Sequence, residues 1–144
     1  MNLSEHFSLT EMVASETASR RGIYNDPPTA LVDSLRVLCA GLEKIRTLLG
    51  NQPIHVLSGY RSPELNAAIG GAFDSQHMRG EAADIICPDY GAPRQVSLAI
   101  ANSDIAFDQL IFEYQHVHVS FIRPPRRDIL TYQGGAYVPG IITT

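Results

Sequence analysis

Leu31, Leu35, Leu38, Leu42, Ile45 and Leu49 recur every three or four residues, and this spacing limits the fold more than any other feature of the chain. Side chains so placed share one face of an α-helix, which must then be covered. Asp26-Pro27-Pro28 precedes the stripe as an aspartate cap followed by proline, whose missing N–H costs nothing at a helix start. Gly50-Asn51 ends it, so the expected helix runs from Asp26 to Leu49. Upstream, Ser8-Leu9-Thr10-Glu11 has the form of a capping box with Phe7 as its staple. It opens a short helix to about Ser15, and residues 17 to 25 read as a polar connection. Beyond the long helix the elements shorten. Pro53 to Ser58 reads as a strand turning at Gly59, and Ser62-Pro63-Glu64 opens a helix that Gly70-Gly71 closes. Ala82 to Ile86 reads as a buried strand and Pro93 to Asn102 as a helix. Phe107 to Glu113 and His116 to Ile122 read as two strands joined by a tight turn near Tyr114-Gln115. Helices first and then strands with short connections predict an α+β fold, the long helix packed on a small, mostly antiparallel sheet. The last segment, from 128 to 144, is expected to add a short strand and a loosely structured tail.

A chain of 144 residues suits one domain with a real core and is short for two, so a single domain over 1–144 is expected. Its 11 Lys and Arg against 15 Asp and Glu leave a net charge of -4, which argues against a nucleic-acid binder. The two basic clusters, Arg20-Arg21 and Arg123 to Arg127, lack the interleaved aromatics of a single-strand binder and read as solvated faces or turns. Cys39 and Cys87 form no CxxC pair. Cys39 falls in the helical apolar pattern as a small hydrophobe, so the chain reads as made for a reducing compartment. Met1 to Phe7 carries neither the basic segment nor the apolar run of a signal peptide. No apolar run approaches the roughly 18 residues of a membrane span. The expectation is synthesis in the cytoplasm, no membrane anchor, and export supplied by something else.

The chemistry is concentrated in two segments. Ser75 to Asp84 offers an imidazole at His77 and a carboxylate at Asp84, and His116-Val117-His118 offers two more imidazoles. In a strand, His116, His118 and Ser120 share one face and Val117, Val119 and Phe121 the other. The apolar set suits the helix layer and leaves the histidines facing a cleft. Asp84 shares its strand face with Ala82 and Ile86, where an unpartnered carboxylate would cost several kcal/mol, roughly the penalty for a buried unpaired charge. A metal removes that difficulty, and Gly80 lets the chain turn between His77 and the strand. Histidine nitrogen and carboxylate oxygen are ordinary zinc ligands, and a catalytic zinc commonly keeps three protein ligands. The candidate set is His77, Asp84 and His118. Each has an ordinary alternative: Asp84 as a satisfied structural carboxylate, and either hairpin histidine as a surface residue.

The same residues carry a likeness. The chain resembles the zinc D-Ala-D-Ala carboxypeptidase family of cell-wall peptidases (peptidase family M15), especially its small phage-type members. The family's Ser-x-His-x-x-Gly-x-Ala-x-Asp motif is matched by Ser75, His77, Gly80, Ala82 and Asp84. A Ser-Gly-Tyr-Arg-Ser segment matches Ser58 to Ser62, Leu65-Asn66 and Gly70-Gly71 follow, and the final His-x-His element matches His116 and His118. The likeness runs over roughly residues 5 to 125. It implies a hedgehog/DD-peptidase-like fold, zinc on His77, Asp84 and His118, and Arg61 beside the substrate. A guanidinium suits that place because it can hold a peptide carboxylate or a developing oxyanion. It further implies a substrate-binding or loop-orienting role for Ser75, peptidoglycan peptides as substrate, and action at the bacterial cell wall. The phage-type form implies virion proteins or a holin as partners in delivery.

One departure from the family bears on catalysis. Several relatives carry a catalytic glutamate three residues before the last zinc-binding histidine, where this chain has Gln115. Glutamine cannot accept a proton from water. His116, on the same strand face as His118, and Glu113, at the strand end, are the two replacements. The alternative function is a non-catalytic peptidoglycan-binding or virion structural protein that keeps the fold.

Overall fold

The computed structural model describes residues 1–143. The long helix begins later than the stripe suggests. A 3-10 turn, Thr29–Leu31, leads into α3, Val32–Leu48, and Asp26 does not cap it. Asp26 and Pro27 each precede a proline, which pushes both away from helical backbone, so the helix cannot start before Pro28. Pro28 itself is extended, at φ -58 and ψ 150. The far end is as expected, with Gly50 and Asn51 both at positive φ. Before α3, the chain forms α1, Leu9–Val13, and α2, Glu16–Arg21. The Ser8 hydroxyl accepts from the Glu11 amide at 3.1 Å, which is the expected cap. In α2 the expected polar connection is instead helical, capped by the Ser15 hydroxyl and closed by Gly22 in the left-handed region.

The sheet is built from β1, His55–Ser58; β2, Ala82–Ile86; β3, Gln109–Phe112; β4, Val117–Ser120; β5, Asp128–Gln133; and β6, Ala136–Pro139. Two further helices, α4, Pro63–Ala68, and α5, Pro93–Ala101, lie between strands. The strand order is β1-β2-β4-β3-β5-β6. Every pairing is antiparallel except β3 with β5, so the fold is α+β with a small, mostly antiparallel sheet. Leu35, Leu38, Leu42 and Ile45 of α3 are fully buried and share one core with Ala83, Ile85, Leu110, Val117 and Val119 of the sheet. Full burial of each such side chain contributes about 1.5–3 kcal/mol. Gly41 opens room on α3 for the Phe121 ring, which a Cβ there would strike.

The loose tail expected from about 128 is replaced by the β5–β6 hairpin. β5 joins the otherwise free edge of β3, with Leu110 beside Ile129 and Phe112 beside Thr131. Pairing satisfies the backbone polar groups that an open edge would leave exposed. Thr144, the end of that expected tail, lies outside the described residues. The Arg123 to Arg127 cluster is partly structural: Arg126 holds Asp108, and Arg127 donates to the Ser103 and Ile105 carbonyls. Cys39 and Cys87 are buried free thiols. No helix among the described residues is long and apolar enough to cross a membrane.

Pairing register decides which side chains share the face opposite the helices. Ser58 pairs with Asp84, Asp84 with His118, His118 with Ile111, Ile111 with Leu130, and Leu130 with Pro139. One row thus crosses the whole sheet. Ser58 joins it through a bulge: Val56 pairs with Ile85 on the core side, and the register slips before Ser58 meets Asp84. An extra residue in one strand turns the following side chain to the other face.

Candidate metal centre

Asp84 sits mid-strand in β2 and is 7% exposed, with its two carboxylate oxygens facing different partners. Oδ1 lies 3.3 Å from His77 Nε2 and 3.1 Å from His118 Nδ1. Oδ2 lies 3.2 Å from Arg61 Nη2 and 3.8 Å from His116 Nε2. Burial pushes the Asp84 carboxyl up, but the His118 and His77 contacts outweigh it and hold the group well below the usual carboxylate range.

His77 belongs to a 3-10 turn, Gln76–Arg79, capped by Ser75 and closed by Gly80 at φ 68. The Ser75 hydroxyl accepts from the His77 amide at 3.2 Å, so Ser75 orients the loop that carries the imidazole. His77 Nδ1 stands 2.8 Å from the Gly59 carbonyl oxygen. A carbonyl only accepts, so Nδ1 carries a proton and Nε2 is the nitrogen that faces the Asp84 carboxylate. The 3.3 Å gap between Nε2 and Asp84 Oδ1 is bridged by a proton on Nε2 or, equally well, by a metal ion held between the two atoms. Gly59 is fixed in turn: a Cβ on it would strike the Met12 carbonyl oxygen, which accepts from the Tyr60 amide at 2.8 Å. The Arg61 amide donates back to the His77 carbonyl at 3.1 Å, and Asn25 ties the Tyr60 to Ser62 segment to α1, its amide nitrogen donating to Val13 O and Tyr60 O and its Oδ1 accepting from the Ser62 amide.

These donors fit a zinc ion. Ligand atoms of a tetrahedral zinc with bonds of about 2.0–2.1 Å stand roughly 3.3 Å apart, close to the 3.3 and 3.1 Å found around Asp84 Oδ1. His77, Asp84 and His118 offer atoms that all lie within 4.8 Å of one another. His118 Nε2 is buried without a hydrogen-bond partner among the described residues, and Nδ1 is the nitrogen turned toward the cluster. The open side faces a cavity of about 660 Å³, whose lining includes Arg61, Ser75, Glu113, His116 and Tyr137 besides the three candidate ligands.

Arg61 is largely buried. Its Nε donates to Ser58 Oγ at 3.0 Å, Nη1 to Asn66 Oδ1 at 3.4 Å, and Nη2 to Asp84 at 3.2 Å. Guanidinium has five N–H donors, so two remain for a ligand in the cavity. Asn66 also donates to the Ala72 carbonyl at 2.9 Å, the loop-packing role its position suggests. On the other side of Asp84, Glu113 and His116 close a tight turn, with the Glu113 amide donating to the His116 carbonyl at 3.1 Å and Tyr114 at φ 65. His116 Nε2 lies 3.4 Å from Glu113 Oε2. The Glu113 contact raises the His116 imidazole above its ordinary value; burial opposes this, and Asp84 adds to the rise. Gln115 is exposed in the turn, so both expected replacements reach the site and the glutamine does not. Glu81 pairs with Arg79 and Asp108 with Arg126, structural places for both.

A family model described as Peptidase M15 matches residues 5–120. The chain belongs to the Peptidase M15 family. It is also similar to the zinc D-Ala-D-Ala carboxypeptidase of Streptomyces albus G, at 40% identity over 62 residues. That match covers 43% of this chain and 22% of the relative's length. In this M15 chain the sequence motifs and the observed cluster coincide at His77, Asp84 and His118. Tyr137 is among the cavity residues that sequence reasoning missed, with Gln76, Gln109 and Arg126; it comes from the chain's last hairpin. Its only signal is a tyrosine-rich ending, and nothing local says that the hairpin returns to the sheet.

Proposed function

We propose that this chain is a zinc peptidase that hydrolyses peptide bonds of bacterial peptidoglycan, either releasing a terminal D-alanine or cutting within the stem or cross-bridge. We further propose a phage or prophage origin, with all the site residues carried by one catalytic unit. The observation that carries the reading is the convergence of two imidazole nitrogens on one buried carboxylate oxygen, at zinc-like separations and open to a cavity, in a member of a peptidase family.

His77, Asp84 and His118 would hold the ion. Zinc bound there supplies Lewis-acid polarisation of the scissile carbonyl and a more acidic water. The chain's own groups do the rest. The two free N–H donors of Arg61 hold the substrate carboxylate or the oxyanion, worth about 2.7–4 kcal/mol where one such donor has been removed from a hydrolase. Glu113 takes the water proton at a carboxylate oxygen. His116, kept more basic by Glu113, gives a proton at Nε2 to the departing amine. Ser75 keeps the His77 turn in place, and Ser58 and Asn66 hold the guanidinium so that Nη2 meets Asp84.

Incubating the protein with purified peptidoglycan, with and without chelator and with zinc restored, tests the reading. Chelator-sensitive release of D-alanine or of shortened peptides, identified by mass, is expected. Stoichiometric zinc without cleavage would transfer the site to a binding role, and failure to retain zinc would overturn the reading.

A further inference from the structure

The Peptidase M15 match ends at residue 120, yet the sheet continues through β5 and β6 and brings Tyr137 into the lining of the same cavity as the candidate ligands. Tyr137 pairs across the hairpin with Tyr132, their ring centroids 5.0 Å apart. Both belong to the sheet face that carries Asp84, His118, Ile111 and Leu130, because residues two apart on a strand share a face. Tyr137 is 56% exposed, a large ring presented to the cleft with its neighbour behind it. Partial burial and the Glu113 carboxylate both push its hydroxyl up, which places the ring within the field of the proposed catalytic pair.

We propose that Tyr137 is a specificity-determining residue, its ring gripping the substrate on the side of the scissile bond away from Arg61. The inference rests on the peptidase reading and deepens it. Arg61 stands at the β1 side of Asp84, and Tyr137 on the far strand β6, two residues from the end of the row at Pro139. Four strand spacings of about 4.8 Å separate β2 from β6, roughly 19 Å along a flat sheet, and less where the sheet twists and the ring leans into the cavity that Asp84 also lines. Extended peptide advances about 3.3 Å per residue, so about four residues before the scissile bond are needed to reach the ring. A dipeptide falls short; a stem pentapeptide ending in D-Ala-D-Ala has that length. Ile111, which is 5% exposed, gives the path between them an apolar floor.

The test is calorimetric binding of two uncleavable peptides to zinc-loaded protein, each with its last amide replaced by a methylene-amine link. One is an acetylated D-Ala-D-Ala dipeptide and the other the stem pentapeptide. Tyr137→Ala should weaken the pentapeptide about tenfold, the worth of one well-packed aromatic contact, and leave the dipeptide unchanged. Tyr137→Phe should retain pentapeptide affinity. Equal weakening of both peptides, no weakening of either, a Phe variant as weak as the Ala variant, or wild type binding the two peptides equally would overturn the proposal. Wild type that binds the pentapeptide but leaves its cleavable form intact would instead sink the peptidase reading while the role of Tyr137 in binding stands.

Discussion

Asp84→Asn keeps the size of the side chain and removes the charge on which two histidines and Arg61 converge. Replacing it should abolish most zinc-dependent stabilisation. A ligand that binds only the folded state adds about 4.1 kcal/mol at a thousandfold excess over its dissociation constant. At about 3 °C per kcal/mol for a chain of this length, zinc should raise the wild-type midpoint by about 12 °C. Outer partners of metal ligands cost about 10–100-fold in affinity when changed, so losing a ligand charge should cost at least about 100-fold. At the same zinc concentration the variant then stands at about a tenfold excess, worth roughly 1.4 kcal/mol and 4 °C.

The assay is thermal unfolding of chelator-stripped protein titrated with zinc, with metal content measured in parallel. Each variant is referred to its own metal-free midpoint. Arg61 loses its counter-charge in Asp84→Asn, and a largely buried unpaired cation is itself destabilising. The rise between metal-free and metal-loaded states isolates the ion. An equal zinc-induced rise in wild type and variant would show that the ion binds elsewhere and refute the assignment of the cluster.

Glu113→Gln and His116→Ala should both retain zinc and lower turnover on peptidoglycan by about 10²–10⁴-fold, the usual worth of a positioned acid or base. If His116→Ala alone collapses the rate, the base passes to the imidazole; near-normal cleavage by both would remove the pair from the chemistry. His116 is raised above its ordinary 6.5 by Glu113 first, with Asp84 adding and burial opposing. The contribution of its cationic form is therefore complete below about 6.5 and lost as pH rises through the higher folded value. NMR titration of the metal-free protein should show the His116 midpoint falling in Glu113→Gln, and an unmoved midpoint would break the pairing. Asp108 is fully buried and is held down to about 2 chiefly by Arg126, against an ordinary 3.8. Its contribution is present above 3.8 and lost as pH falls toward 2. Urea unfolding should therefore show wild type weakening across that window, with Asp108→Asn about 1–3 kcal/mol less stable near neutrality and flatter in acid. Parallel curves for the two would contradict the depressed carboxyl.

Much of this arrangement is legible along the chain because its signals are local. The α3 stripe, the Ser8 and Ser62 caps and the alternation at Val117 to Ser120 depend on residues within a few positions of one another. The same locality explains the misplaced helix start: the cap at Asp26 competes with the steric effect of two consecutive prolines, and the prolines win. The candidate ligands are legible for a different reason. An aspartate in the apolar run Ala82 to Ile86 needs a partner wherever the strand lies, so its chemistry is marked before its neighbours are known. Neighbours require register. Asp84 meets His118 because β2 pairs with β4 one way, and a slip of one residue would turn His118 into the core. Ser58 joins them through a bulge, and Tyr137 through a parallel pairing of strands far apart in sequence. Neither leaves a periodic trace. The legible part is therefore the demand for a cation at Asp84; the part set by tertiary pairing is what stands around it. The proposed selection by Tyr137 belongs to the second part, because the β5–β6 hairpin lies outside the segments that carry the candidate ligands His77, Asp84 and His118.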